Sequence, residues 1–189
     1  MNITGLPREA AGEASPTGAI DMKLEVVVIP VSDVDRAKHF YRDLGWRLDI
    51  DYSDEVDYRV VQFTPPGSGC SIIFGRNVTT AFPGSVQGLH LIVSDIQAAR
   101  ADLLRRGVAI GELFHDVDGI FHHANGDRLV EGANPQRKSY ASYASFSDPD
   151  GNGWVLQEIT ARLSGHIAPD DTSFTAELTD FVRRAEAGA

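Results

Sequence analysis

Two stretches decide the fold: Val31-Ser32-Asp33-Val34-Asp35-Arg36-Ala37 and Val93-Ser94-Asp95-Ile96-Gln97-Ala98-Ala99. Each follows a short β-branched run, Val26-Val27-Val28-Ile29 in the first case and Leu89–Val93 in the second. The first run predicts a strand buried on both faces, and the second predicts a strand. Each stretch then supplies Ser-Asp, whose side-chain oxygens accept from the open N–H groups of a first helical turn. Apolar residues follow at helical spacing: Val34, Ala37, Phe40, Tyr41 and Leu44, then Ile96, Ala99 and Leu103. Each set forms one stripe along a helix. Gly45 and Gly107 stand where a helix end favours a left-handed residue. A strand–helix unit is therefore written twice.

The repeat continues outward. Asp33 falls on Asp95, Ala37 on Ala99, Gly45 on Gly107 and Leu48 on Ile110, a constant offset of 62 (95 − 33). Further on, Pro65 falls on Pro149, Gly67 on Gly151 and Ile72 on Leu156, an offset of 84 (149 − 65). The second half thus carries an insertion, placed at 114–138, where Gly119, Gly126, Gly132 and Pro135 lie. Strands are expected around Trp46–Ile50, Tyr58–Thr64 and Ser71–Phe74, and again from Val108–Leu113, at Tyr140–Phe146 and at Trp154–Ile159. The turns are Pro65-Pro66-Gly67-Ser68-Gly69 and Asp148-Pro149-Asp150-Gly151-Asn152. Two ordered offsets with caps, glycines and breakers in register mark a duplication.

The fold class is α+β: two βαβββ modules, at about 22–80 and 85–160, forming a curled mixed sheet around a cleft, plus a C-terminal helix. Residues 1–21 read as a flexible leader, with Gly5, Pro7, Gly12, Pro16 and Gly18. Residues 161–189 read as a linker and an amphipathic helix, with Phe174, Leu178, Phe181 and Val182 on one face. A curled sheet of one module has two edges and a bare face, so two modules side by side can shield a cavity.

Val31–Ala37 with Phe40-Tyr41 and Leu44-Gly45 resembles the opening of the vicinal oxygen chelate superfamily. Its members include glyoxalase I, the bleomycin-resistance proteins, fosfomycin-resistance enzymes and extradiol dioxygenases. Asp148–Asn152 resembles that family's turn before its last strand, and the likeness spans roughly residues 22–160. It implies two βαβββ units, a homodimer and, in catalytic members, a divalent metal held by His and Glu. The metal positions of such enzymes fall here on Val26, Ser71, Gly88 and Val155. Valine and glycine side chains have no lone pair to offer, and a serine hydroxyl is a poor ligand for a first-row divalent ion. No resident metal or other cofactor is therefore expected, a divalent metal being the alternative.

His90 lies two residues beyond Gly88 and Gln157 two beyond Val155, so on strands they share the faces of the vacated positions. Glu158 is expected on the opposite face. The candidate ligand-binding residues are His90, Gln157, Tyr58, Tyr140 and Tyr143, with Phe146 and Trp154 as further aromatic wall. Aromatic walls suit a planar ligand, although core packing is the commoner use of such rings. Arg59, Arg137 and Lys138 could meet an anionic group at the mouth. A second cluster, His115, Asp116, Asp118, His122, His123 and Asp127, matches no compact metal site and reads as a solvated loop or a lid. Cys70 has no neighbouring base and is expected to face away from the pocket as a structural thiol.

The chain has 189 residues and a formal net charge of −10. That charge repels phosphate backbones, so nucleic acid is not an expected partner. No run approaches the roughly 20 apolar residues of a membrane span. One cysteine permits no intrachain disulfide, which suits a reducing cytoplasm. Two functional classes follow. The first is a metal-poor protein of the bleomycin-resistance kind that binds a small molecule between its modules. The second is a lyase, isomerase or dioxygenase with a rearranged metal site or metal-free acid–base chemistry on His90 and a tyrosine.

Overall fold

The computed structural model describes residues 20–54, 56–117, 128–161 and 175–187. Most of the leader, the 118–127 part of the insertion (Asp118, His122, His123 and Asp127) and Phe174 lie outside the described residues, as do the side chains of Phe181 and Val182.

The first module runs β1 (Val26–Val28), α1 (Val34–Asp43), β2 (Arg47–Ser53), β3 (Arg59–Thr64) and β4 (Ser71–Arg76). The second runs β5 (Leu89–Val93), α2 (Ile96–Arg105), β6 (Phe114–Asp116), β7 (Leu129–Glu131), β8 (Ser142–Ser147) and β9 (Gly153–Glu158). A C-terminal helix, α3, spans Ala176–Ala187. Among the described residues no helix is long and apolar enough to cross a membrane.

The duplicated caps act alike. The Asp33 carboxylate accepts from the Arg36 N–H at 3.0 Å, and that of Asp95 from the Ala98 N–H at 2.9 Å. Gly45 and Gly107 both take φ +80°, the left-handed stop that the repeat predicts.

The strands form two mixed sheets, ordered β1-β4-β3-β2 and β5-β9-β8-β6-β7. β1 joins β4 in parallel, and β5 joins β9 in parallel. β1 and β5 share no ladder. The modules meet instead through one core, into which both sheets turn the same face. Val61, Phe63, Ile72 and Phe74 come from the first sheet, and Ala144, Phe146, Trp154 and Leu156 from the second. Ala37 and Tyr41 of α1 and Ile96 of α2 lie in the same cluster. Tyr41, fully buried, packs edge-on against Trp154 at 6.1 Å between ring centroids. Rings of this size dominate the buried apolar area of a small core.

Two strand expectations and one loop expectation are corrected. The strand expected from Val108 contracts to one bridge, Ile110 to Phe146. Its place is taken by a hairpin, β6 with β7, whose His115 pairs with Ser142 of β8. The insertion therefore extends the sheet, and its Asp116 is buried rather than solvated. Tyr140 does not begin β8, because φ +68° places it in the left-handed region, which no strand residue occupies.

Candidate ligand-binding site

Strand alternation separates a core face from an open one. On β1, Val27 packs into the core while Val26 and Val28 are exposed. On β5, Leu89, Leu91 and Val93 pack inward while His90 and Ile92 are exposed. Cross-strand pairing extends each open face. In the first sheet Val26 sits beside Ser71, Val28 beside Ile73, and Ile50 beside Gln62. In the second, His90 sits beside Val155, Ile92 beside Gln157, and Gln157 beside Tyr143. The two open faces differ in character. The first exposes Val26, Val28, Ile50 and Tyr52. The second carries a polar cluster.

That cluster is built on β5, β8 and β9. Gln157, nearly buried, donates through Nε2 to the Tyr140 carbonyl at 3.0 Å and to the Tyr143 hydroxyl at 3.3 Å. Its Oε1 lies 3.1 Å from His90 Nδ1. The Tyr143 hydroxyl donates to the Tyr140 carbonyl at 2.5 Å. Burial pushes the Tyr143 phenol up to about 12, opposed by the Gln157 hydrogen bond and assisted by Asp116. The Tyr143 ring stacks on Phe114 at 5.5 Å. Of the five residues proposed from sequence, His90, Gln157, Tyr140 and Tyr143 are thus joined in one network. Tyr140 enters it through its backbone carbonyl. Tyr58 is not in it; it sits at the turn before β3 in the other sheet, where its N–H donates to the Asp54 carboxylate at 3.0 Å.

A cavity of about 480 Å³ lies where the modules adjoin, lined by Lys23, Leu24, the Pro65–Cys70 turn and His90–Ile92. Cys70 therefore borders the same space as His90, contrary to the sequence expectation. Burial, then the Glu25 charge, pushes the Cys70 thiol up, which opposes a thiolate nucleophile. A second cavity, of about 400 Å³, is lined by Gln87, Gly88, Ser145–Ser147 and Gly153–Val155. Sequence reasoning did not select the Pro65–Gly69 turn as a cavity wall. The offset that aligns it with Asp148–Asn152 marks it as a module boundary and was the available signal.

The four positions that carry metal in the resembled enzymes do not fit one here. Val26 and Val155 offer hydrocarbon. Gly88 precedes β5 with φ +72°. The Ser71 hydroxyl is engaged with the Thr64 hydroxyl at 2.7 Å. Among the described residues no group of three or more His, Cys, Asp or Glu side chains could hold an ion. Glu158 lies on the core side, as its parity predicts. Its buried carboxylate takes the Arg137 guanidinium at 2.6 Å and the Ile96 N–H at 3.3 Å. Arg137 is thereby committed to an ion pair that raises its pKa through the Glu158 hydrogen bond and charge. Arg59 is likewise committed, to Asp51 and Asp35, both at 2.9 Å. Lys138 has no ion-pair partner among the described residues.

The Asp148–Asn152 turn has a structural task. The Asn152 amide donates to the Pro30 carbonyl at 2.9 Å and to Asp148 at 2.8 Å, and its oxygen accepts from the Val86 N–H at 3.2 Å. Asp148 also accepts from the Tyr41 hydroxyl at 2.9 Å. Asp150 holds Arg36 at 2.8 Å and is joined by the Ser32 hydroxyl. The turn bolts the second module to the first helix of the other.

With duplicated modules, shared core and this turn in place, the chain belongs to the Glyoxalase/Bleomycin resistance protein/Dioxygenase superfamily, whose family model matches residues 23–156. Its fold is similar to TnmS3, an antibiotic binding protein from Streptomyces sp. CB03234, at 30% identity and a TM-score of 0.54, over 75% of this chain and 98% of that one. A glyoxalase/bleomycin resistance protein from the same organism is 31% identical, with a TM-score of 0.51, over 72% and 100% of the respective chains. A superfamily member from Sphaerobacter thermophilus DSM 20745 is 27% identical, with a TM-score of 0.53, over 73% and 98%. No curated protein matches the chain.

Proposed function

We propose that this protein is a metal-poor small-molecule binding protein, which holds a planar, largely apolar ligand against the open sheet faces and reads one polar group through His90 and Gln157. The observation that carries this reading is chemical. Where a catalytic relative would place metal donors, this chain has Val26, Ser71, Gly88 and Val155. What the open face of the second sheet offers is a hydrogen-bonding cluster of His90, Gln157 and Tyr143. Ligand sites of this kind combine apolar walls with a few convergent polar groups. The similarity to an antibiotic binding protein supports the same class of role.

The cleft is completed by a second copy of the chain. β1 and β5 each pair on one side only among the described strands, and Val26, Val28 and Ile92 remain exposed on those edges. Edges of this kind pair readily with another chain, and pairing would bring the apolar face of one copy toward the polar face of the other. The single Cys70 suits a cytoplasmic setting.

The test combines composition and binding. Elemental analysis of the purified protein is expected to find no stoichiometric Zn, Ni, Mn or Fe, and light scattering to give twice 20.5 kDa. Fluorescence titration with planar aromatic antibiotics is expected to give saturable quenching that His90→Ala weakens roughly tenfold without changing the circular dichroism, the loss of about one net hydrogen bond. One tightly bound metal per chain, or an affinity indifferent to His90, would overturn the proposal.

A further inference from the structure

We propose that the cavity of about 400 Å³ at the start of β9 is a second ligand seat, in which the amide oxygen of Gln87 is a fixed acceptor that selects a planar aromatic carrying a hydroxyl or N–H donor. This deepens the binding reading and rests on it for the occupant, though not for the orientation of the amide.

The space comes from side chains the sequence leaves out. Two of the four vacated metal positions, Gly88 and Val155, line this cavity. A Cβ added at Gly88 would meet nothing within 4 Å, so the room beside it is open. Ladder pairing sets Ser145 beside Val155 on one side and His90 on the other, with Ser147 beside Gly153. Residues two apart on a strand share a face and stand about 7 Å apart. The seat therefore continues the face that carries His90, toward the strand ends where Gly88 and Gly153 lie. Its volume falls within the roughly 300–1,000 Å³ of small-molecule sites.

The acceptor is set from two fixed ends. Gln87 Nε2 lies 3.0 Å from the Gly84 carbonyl and 2.9 Å from the Gly151 carbonyl. A carbonyl oxygen only accepts, so both amide hydrogens are committed to these two. Flipping the amide would set its oxygen against both carbonyls with no hydrogen between them, which is costly. The two anchors are themselves held. The Gly84 N–H donates to the Pro30 carbonyl at 3.3 Å, and the Gly151 N–H to the Asp148 carbonyl at 3.0 Å. Gln87 Oε1 is left over Gly153, where a Cβ on that residue would come within 2.3 Å of it. Among the described residues no group donates to this oxygen. Gln87 is exposed and lines the cavity, so a ligand entering there meets an acceptor already ordered.

Fluorescence titration with 2-naphthol and with 2-methoxynaphthalene, which has no donor, reads the selection. The naphthol is expected to bind roughly three- to tenfold more tightly, as one neutral hydrogen bond allows. Gln87→Lys keeps a donor for the two carbonyls and removes the acceptor, and is expected to abolish the preference with the circular dichroism unchanged. If that variant fails to fold, Gly153→Ala serves. Gly153 is not among the glycines with positive φ, and the added methyl displaces the amide, with the same expected loss. His90→Ala is expected to keep the preference. Backbone amide NMR during the naphthol titration is expected to show shifts at Gly88, Ser145 and Gly153. Equal affinities, a preference that survives both Gln87→Lys and Gly153→Ala, or one lost in His90→Ala overturns the role of Gln87. Shifts confined to the Pro65–Cys70 turn overturn the second seat and leave the binding reading standing. Binding of neither probe overturns the proposed occupant, and the antibiotic titration then decides the binding reading separately.

Discussion

The turns at Pro65–Gly69 and Asp148–Asn152 occupy equivalent places in the two modules, yet they do opposite work. The second is a polar knot. Its Asn152 is wholly buried and joins Pro30, Val86 and Asp148, while Asp148 and Asp150 reach Tyr41, Arg36 and Ser32 across the module boundary. The hydrogen bonds of the first stay local: the Ser68 N–H donates to the Pro65 carbonyl at 3.0 Å, and the Ser68 hydroxyl engages Cys70. It forms a wall of the cavity beside His90 instead. Duplication reproduced the backbone punctuation, and the side chains divided the labour. Where carboxylate and amide groups are present, the turn ties modules together; where Thr64, Pro66 and Ser68 stand in the places of Asp148, Asp150 and Asn152, it leaves a surface a ligand can use.

The contrast can be broken most directly at Asn152. Asn152→Ala strands the Val86 N–H, takes a donor from Asp148 and leaves the Pro30 carbonyl only the Gly84 N–H, and a loss of about 2–4 kcal/mol in urea unfolding is expected. A change below about 1 kcal/mol would show that the knot is not what joins the modules.

A smaller effect is expected on the far side of the first sheet. Arg59, then Lys38, hold Asp51 down at about 2 by hydrogen bonding and charge. A carboxylate whose folded pKa is depressed adds stability that is complete above its unfolded value, near 3.8, and vanishes as pH falls through about 2. With screening, the contribution is about 1–2 kcal/mol at pH 7. Asp51→Asn is expected to lower the urea midpoint at pH 7 and to flatten its fall between pH 4 and 2. A parallel fall in both proteins would remove Asp51 from the acid response.

The smallest effect sharpens the comparison from the other turn. Ser68→Ala removes only local bonds at an exposed site, and a change within about 0.5 kcal/mol is expected. A loss comparable to that of Asn152→Ala would mean that both turns carry module-joining weight.

Much of the fold was legible because its signals are local. The Asp33 and Asp95 caps, the Gly45 and Gly107 stops and the strand parities that put His90 and Gln157 on one face, with Glu158 on the other, all act within a few residues. The hairpin of β6 and β7 was not legible. Three-residue strands such as Phe114–Asp116 and Leu129–Glu131 are too short to show a period of two. The role of Tyr140 was read from its ring, whereas its carbonyl carries the contact, and a left-handed non-glycine residue has no reliable signature in a single sequence.

The sequence by itself determined the duplication, the α+β class and the absence of donor side chains at Val26, Gly88 and Val155, because these depend on residue type and spacing along one chain. Only the tertiary structure decided how the modules meet. Either the strand edges or the helix-covered faces could have joined them. The balance fell to the faces because Tyr41, Trp154, Asp148 and Asn152, distant in sequence, bury large rings and satisfy their polar atoms in a single interface.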